Sequence, residues 1–246
     1  MRTIKIIIQY DGTNYCGWQE QANGSTVQET VELALAKILG QRVRVQSSGR
    51  TDAGVHAVAM PAVFKTASMI PIKAFVDGLN SHLPHDIAIQ SAEEVPIDFR
   101  AIGGARAKTY RYTIYNAPIR SPLNHRTSWH VRDTLDLEAM REAADYFIGE
   151  HDFAAFRGSN CSAVTSLRRI DAIVISQQGA LVTIDVTGGG FLKYMVRIMA
   201  GTLVDVGRGR FAPEYIASLL KEADRQRSGV TAPPQGLILL QVIYPN

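Results

Sequence analysis

Residues 47 to 56 read Ser-Ser-Gly-Arg-Thr-Asp-Ala-Gly-Val-His, and this run decides how the rest of the chain is read. Gly49 and Gly54 flank Arg50, Thr51 and Asp52. Glycines on both sides let the backbone turn sharply and let a ligand approach closely. A carboxylate presented there is accessible, and a nearby arginine favours its ionised form. A nucleophile or general base needs those two properties. The same residues also suit a simple turn in which Asp52 bonds only its own backbone. Loop chemistry leaves both readings open.

Working outward, residues 42–47 alternate as a strand, and residues 56–66 read as another, with Pro61 marking a bulge or an edge. Upstream, residues 3–10 are β-branched and short, as in a buried strand. Ser25 and Gln28 have the spacing of a capping box. Val27, Val31, Leu35, Ile38 and Leu39 then recur at helical spacing up to Gly40. Residues 71–82 predict a helix and residues 86–94 an extended segment. In the second half, residues 107–116, 168–176, 180–187 and 237–244 predict strands, with a hairpin at Gln178-Gly179. Residues 135–148, 190–206 and 212–223 predict helices. No linker or low-complexity tract separates the halves.

The chain has 246 residues, 46% hydrophobic and 20% charged, which are ordinary globular proportions. Its two cysteines, Cys16 and Cys161, have no CxxC partners, so neither a disulfide framework nor a zinc site is expected. No apolar stretch approaches membrane-spanning length, and the N-terminal apolar run is too short for a signal peptide. A cytoplasmic location is expected. The formal net charge of +3 says little, but its distribution is uneven. Residues 98–132 hold Arg100, Arg106, Lys108, Arg111, Arg120, Arg126 and Arg132 against Asp98 alone. Residues 133–152 reverse this, with acids outnumbering Arg141. Such segregation is compatible with polyanion binding and with ordinary variation of exposed faces.

Two further elements carry possible chemistry. The predicted helix from Gly190 is apolar nearly all round, yet holds Arg197 in its middle. A guanidinium in such a place must be paired or must reach solvent. Asp52, Asp185 and Asp205 are the candidate partners, and Lys193 lies one turn earlier. Lys108-Thr109-Tyr110-Arg111-Tyr112 places two tyrosines on one strand face and Arg111 on the other. Aromatics beside cations suit stacking on an unpaired base, although alternating tyrosines also serve as core. His56 reads as a residue that begins the next strand and shapes the loop.

These elements occur in a recognisable order. Tyr10-Asp11-Gly12, Gly17-Trp18-Gln19, the Gly49–His56 run, Lys108–Tyr112, His151-Asp152-Phe153 through Phe156-Arg157, Phe191 through Arg197, and Gly236-Leu237 follow one another. Together they closely resemble the tRNA pseudouridine synthase A family, from Tyr10 to Tyr244. The resemblance implies an α+β pseudouridine synthase fold. Two similar α/β halves would share a central, mostly antiparallel sheet with a basic RNA-binding cleft. Residues 1–105 would form the half carrying the aspartate loop, and residues 106–246 the half that completes the sheet.

The resemblance also implies a reaction. It would be isomerisation of uridine to pseudouridine in the anticodon stem-loop of tRNA, at positions 38, 39 and 40. A homodimer would perform it without metal or organic cofactor. Asp52 would be the catalytic aspartate. Tyr110 would stack on the target uracil, Arg197 would pair with Asp52, and Arg50 would position the flipped nucleotide or brace the loop. One departure stands out. Gly188-Gly189-Gly190 precedes Phe191, where the family commonly has a polar residue or alanine. Besides a pseudouridine synthase with another RNA target, two rival readings use the same residues. One is an RNA-binding protein without turnover, which has no need of a reactive carboxylate. The other is a nucleoside hydrolase, which would be expected to use a second acid beside Asp52.

Overall fold

The computed structural model describes residues 1–245 of a mixed α+β fold built on a large, mostly antiparallel sheet. The chain divides into two compact units, Met1–Arg106 with the segment from Leu239 onward, and Ala107–Ile238. The sequence-based boundary carried the second half through to the C-terminus. The segment from Leu239 groups with the first unit, and its strand follows β3 (His56–Thr66) in sheet order.

The first unit holds β1 (Arg2–Tyr10), α1 (Val27–Leu39), β2 (Gln46–Ser47), β3, α2 (Ile72–His82) and β4 (Ile87–Val95). β1 lies between β4 and β3, antiparallel to both. Its Ile4, Ile6 and Ile8 are fully buried, as period-two alternation predicts. Each such side chain contributes roughly 1.5–3 kcal/mol relative to exposure. Pro61 lies within β3 opposite Ile7, not at an edge, and the ladder shifts just beyond it, between the Ile8 and Tyr10 pairings. Phe75 of α2 packs edge-on against Phe64 of β3, with ring centroids 5.3 Å apart.

Two local expectations for this unit are corrected. The cap of α1 is Thr26, whose hydroxyl accepts from Glu29 N at 3.3 Å, not Ser25. Gln28 turns inward instead, donating to Glu32 Oε1 and to the Val45 carbonyl. The strand expected over residues 42–47 is reduced to Gln46–Ser47. The buried Glu32 carboxylate accepts from Val45 N at 3.0 Å and from Arg42, so part of this main chain bonds a side chain and not a ladder.

The second unit holds β5 (Ala107–Asn116), β6 (Trp129–Val131), α3 (Leu137–Asp145), β7 (Gly149–Asp152), β8 (Leu167–Gln178), β9 (Leu181–Gly188), α4 (Met195–Gly207) and α5 (Tyr215–Glu222). β10 (Leu237–Ile243) begins in it. The order β5-β9-β8-β7 is antiparallel, and β6 adds to β5 in parallel. The β8–β9 hairpin turns at Gly179, with φ 57°, as its sequence predicts. Phe147, Phe153 and Phe156 are fully buried and form one aromatic cluster, with Phe147 and Phe156 centroids 5.0 Å apart. α3 and α5 are shorter than predicted.

The helix expected from residue 190 starts only at Met195. Tyr194 is left-handed, with φ 64° and ψ 2°, and a right-handed helix cannot propagate through it. Lys193 therefore lies before the helix and not one turn below Arg197 on its face. Among the described residues, no helix is long and apolar enough to cross a membrane.

Candidate active site

The aspartate loop runs from β2 into β3, and the glycine-containing segments after β1 hold it in place. The Thr51 carbonyl accepts from Trp18 N at 3.1 Å, and Gly54 N donates to the Tyr15 carbonyl at 3.3 Å. The Asp52 carbonyl accepts from Val55 N at 3.1 Å, closing a turn around Ala53-Gly54. On the side-chain level, the Tyr10 and Thr51 hydroxyls meet at 2.8 Å, buried on both sides. The loop's entry is fixed as well, since Ser48 N donates to the Pro61 carbonyl at 2.9 Å.

Two glycines explain why these segments lie so close. A Cβ on Gly17, whose φ is +92°, would stand 2.6 Å from the Thr51 carbonyl oxygen. A Cβ on Gly12 would collide with the carbonyl of Val55. The Gly17-Trp18 and Tyr10-Asp11-Gly12 segments thus brace the loop by main-chain contact that any larger residue would block. His56 is buried at the start of β3, where its Nδ1 accepts from Gly12 N at 3.0 Å. Asp11 Oδ1 lies 3.0 Å from the same nitrogen and also accepts from the Thr13 amide and hydroxyl. His56 shapes the loop, as the sequence suggested.

The result is a carboxylate on a fixed turn. Thr51 is buried, Asp52 half-buried, and Arg50 and Ala53 exposed. Asp52 is therefore carried on a braced turn and is itself partly accessible. The simple-turn reading accounts for the Val55 contact but not for the convergence of Tyr10, Trp18 and Tyr15 on the same short segment.

Tyr110 and Arg197 belong to the second unit. Tyr110 is buried on β5 opposite Val186, and Phe191 meets its ring edge-on at 5.2 Å. Tyr112 is fully buried and donates its hydroxyl to the Pro233 carbonyl at 2.8 Å. Burial drives the Tyr112 pKa far upward, against the opposing pull of the Arg197 charge. Tyr112 is thus core, while Tyr110 is capped by one aromatic neighbour from the loop before α4. Arg111, on the other face, grips both oxygens of Asp185 at 2.7 Å. Burial lowers the Lys108 pKa. Of the cations in residues 98–132, Arg100, Arg106, Arg120, Arg126 and Arg132 are exposed.

Arg197 is the half-buried exception in a helix that is otherwise buried along its length. Its Nε donates to the Ala232 carbonyl at 2.8 Å, and its guanidinium lies 4.8 Å from the Tyr194 ring centre. Two alternative partners are already engaged, Asp185 by Arg111 and Asp205 by Arg210 at 3.0 Å. Lys193 Nζ lies 4.9 Å from the same Tyr194 ring, so both cations meet that ring although they do not share a helix face. The Lys193 carbonyl accepts from Gly158 N at 2.8 Å, and a Cβ on Gly158 would come within 2.5 Å of the Tyr194 ring. Tyr194 was missed by sequence reasoning. Nothing in Phe-Leu-Lys-Tyr-Met marks a left-handed tyrosine, and Gly158 gains meaning only once its neighbour is known.

A family model described as tRNA pseudouridine synthase matches residues 6–102 and 143–245. A tRNA pseudouridine synthase A from Pelobacter propionicus is 62% identical over 244 residues, covering 99% of this chain and 100% of its own length. Proteins of that name from Geotalea daltonii and Geotalea uraniireducens are 58% and 57% identical, each covering 99% of this chain and 100% of its own length. One solved chain, titled as a crystal structure of a Cbf5-Nop10-Gar1 complex, matches at a TM-score of 0.41 and 12% identity. That match covers 96% of this chain and 48% of the other, and is too weak to bear on the fold.

Proposed function

Since this chain belongs to the tRNA pseudouridine synthase family and isomerises uridine in tRNA, we propose that Asp52 is the carboxylate that carries the reaction. The observation behind this is the hold on the residue just before it. Thr51 is fixed through its carbonyl by Trp18 and through its hydroxyl by Tyr10, so Asp52 projects from a preorganised turn.

The reaction breaks the bond between the sugar and a uracil nitrogen and joins the sugar to a uracil carbon. The proton on that carbon leaves and the freed nitrogen gains one, so nothing is oxidised or hydrolysed overall. Asp52 acts either as a nucleophile on the nucleotide or as a base toward a sugar proton. In this reading Tyr110 stacks on the flipped uracil, offsetting an unstacking cost of a few kcal/mol. Arg197 serves as the counter-ion of Asp52, and Arg50, exposed on the same loop, positions the flipped nucleotide. Arg100, Arg106, Arg120, Arg126 and Arg132 contact phosphates, which makes affinity fall with salt. The substrate region is the anticodon stem-loop at positions 38, 39 and 40. The working form is a cytoplasmic homodimer.

Mapping pseudouridine in unmodified tRNA after incubation with the protein tests the substrate assignment. New pseudouridine confined to positions 38, 39 and 40 supports it. Modification elsewhere in the tRNA, with none in the anticodon arm, contradicts it.

A further inference from the structure

β1 buries a row of apolar side chains, Ile4, Ile6 and Ile8, and ends that row with Tyr10, which is only 3% exposed. A tyrosine in such a place needs a hydrogen-bond partner, where phenylalanine would need none. Its partner is the Thr51 hydroxyl at 2.8 Å, itself on a residue only 7% exposed. The sheet is adjusted to bring the two together. Between β1 and β3 the pairing runs Ile7 with Pro61 and Ile8 with Met60, then jumps so that Tyr10 faces Ala57. A ladder irregularity of this kind re-aims the side chains beside it. Here it sets Tyr10 against the first residues of β3, where the aspartate loop ends.

We propose that Tyr10 is a positioning residue for Asp52, acting through the Thr51 side chain; the inference rests on the reading of Asp52 as the catalytic carboxylate. Thr51 is gripped at two points that face different ways. Its carbonyl accepts from Trp18 N at 3.1 Å, and its hydroxyl meets Tyr10. The Tyr10 and Trp18 rings lie 6.1 Å apart, so one aromatic pair supports both grips. A peptide plane fixed only at its carbonyl can still rock about that contact. The second grip, on the side chain, removes that freedom and sets the direction in which Asp52 leaves the backbone. Misplacing a reacting group by about an ångström costs on the order of 100-fold in rate. Losing one of two grips should cost less than that.

The experiment compares Tyr10→Phe, Thr51→Val and Thr51→Ser with the unaltered protein. Single-turnover rate, KM for tRNA and Tm are measured for each. The proposal expects Tyr10→Phe and Thr51→Val each to slow the rate about 10-fold with KM within twofold. Thr51→Ser, which keeps the hydroxyl, should stay near the original rate. The double variant Tyr10→Phe with Thr51→Val should be no slower than the slower single, since both remove one bond. A Tyr10→Phe rate equal to the original overturns the proposal. So does a loss that disappears when assays run far below Tm, or a double variant whose losses multiply. Asp52→Asn, assayed alongside, separates two failures. If Asp52→Asn turns over normally, the reading of Asp52 itself falls. If it is inactive while Tyr10→Phe is normal, only the role of Tyr10 falls.

Discussion

The aspartate loop and the start of α4 are held by opposite means. Around Asp52 the contacts are mostly main chain. Trp18, Tyr15 and Val55 reach the loop through backbone groups, and Gly12 and Gly17 make room for that approach. Around Arg197 the contacts come largely from side chains. The guanidinium bonds the Ala232 carbonyl and lies over Tyr194, a residue in a left-handed conformation that costs roughly 1–2 kcal/mol. The first region is rigid because nothing larger than glycine fits beside it. The second is set by one long cation and the ring beneath it. They should therefore fail differently: the loop when Gly12 or Gly17 gains a methyl group, the helix start also when Arg197 loses its end.

The largest expected effect lies in the first region. Gly17→Ala adds a Cβ 2.6 Å from the Thr51 carbonyl oxygen at a φ of +92°. Strain and overpacking together should cost about 3 kcal/mol. For a chain of this size that lowers Tm by roughly 6–12 °C, readable by thermal unfolding. An unchanged Tm would show that the loop has slack, and the contrast with α4 would break.

A smaller loss of stability is expected in the second region. Arg197→Ala removes the donor to the buried Ala232 carbonyl and should cost about 1–3 kcal/mol. Because Arg197 is also proposed to face Asp52 in the working enzyme, activity should fall further than stability explains. Isomerisation measured well below Tm checks this. A variant that is destabilised yet fully active would confine Arg197 to packing, which would sharpen the difference between the regions.

Much of the fold was legible because alternation and glycine placement are local signals. β1, β3, β5 and β9 follow from runs such as Thr-Ile-Lys-Ile-Ile-Ile and Lys-Thr-Tyr-Arg-Tyr, and the β8–β9 turn from Gln178-Gly179. Elements set by partners distant in sequence were not legible. Residues 42–45 look like a strand until the Glu32 carboxylate accepts the Val45 amide. The α4 start looks helical from Gly190 until Tyr194 turns left-handed against Gly158. The site divided in the same way. Asp52 and its flanking glycines are contiguous in the chain, so the loop of the proposed site can be read from the sequence. The Tyr10–Thr51 bond spans 41 residues, and sequence alone gave Tyr10 no role beyond its motif.

The most direct test is the single-turnover rate of Asp52→Asn on tRNA, with tRNA binding measured on the same preparation. Asparagine nearly matches aspartate in size and keeps the turn, but it is a poor nucleophile and base. The account predicts that pseudouridine formation falls to background while the protein stays folded and still binds tRNA. Substantial pseudouridine formation by a folded, tRNA-binding Asp52→Asn protein would contradict it.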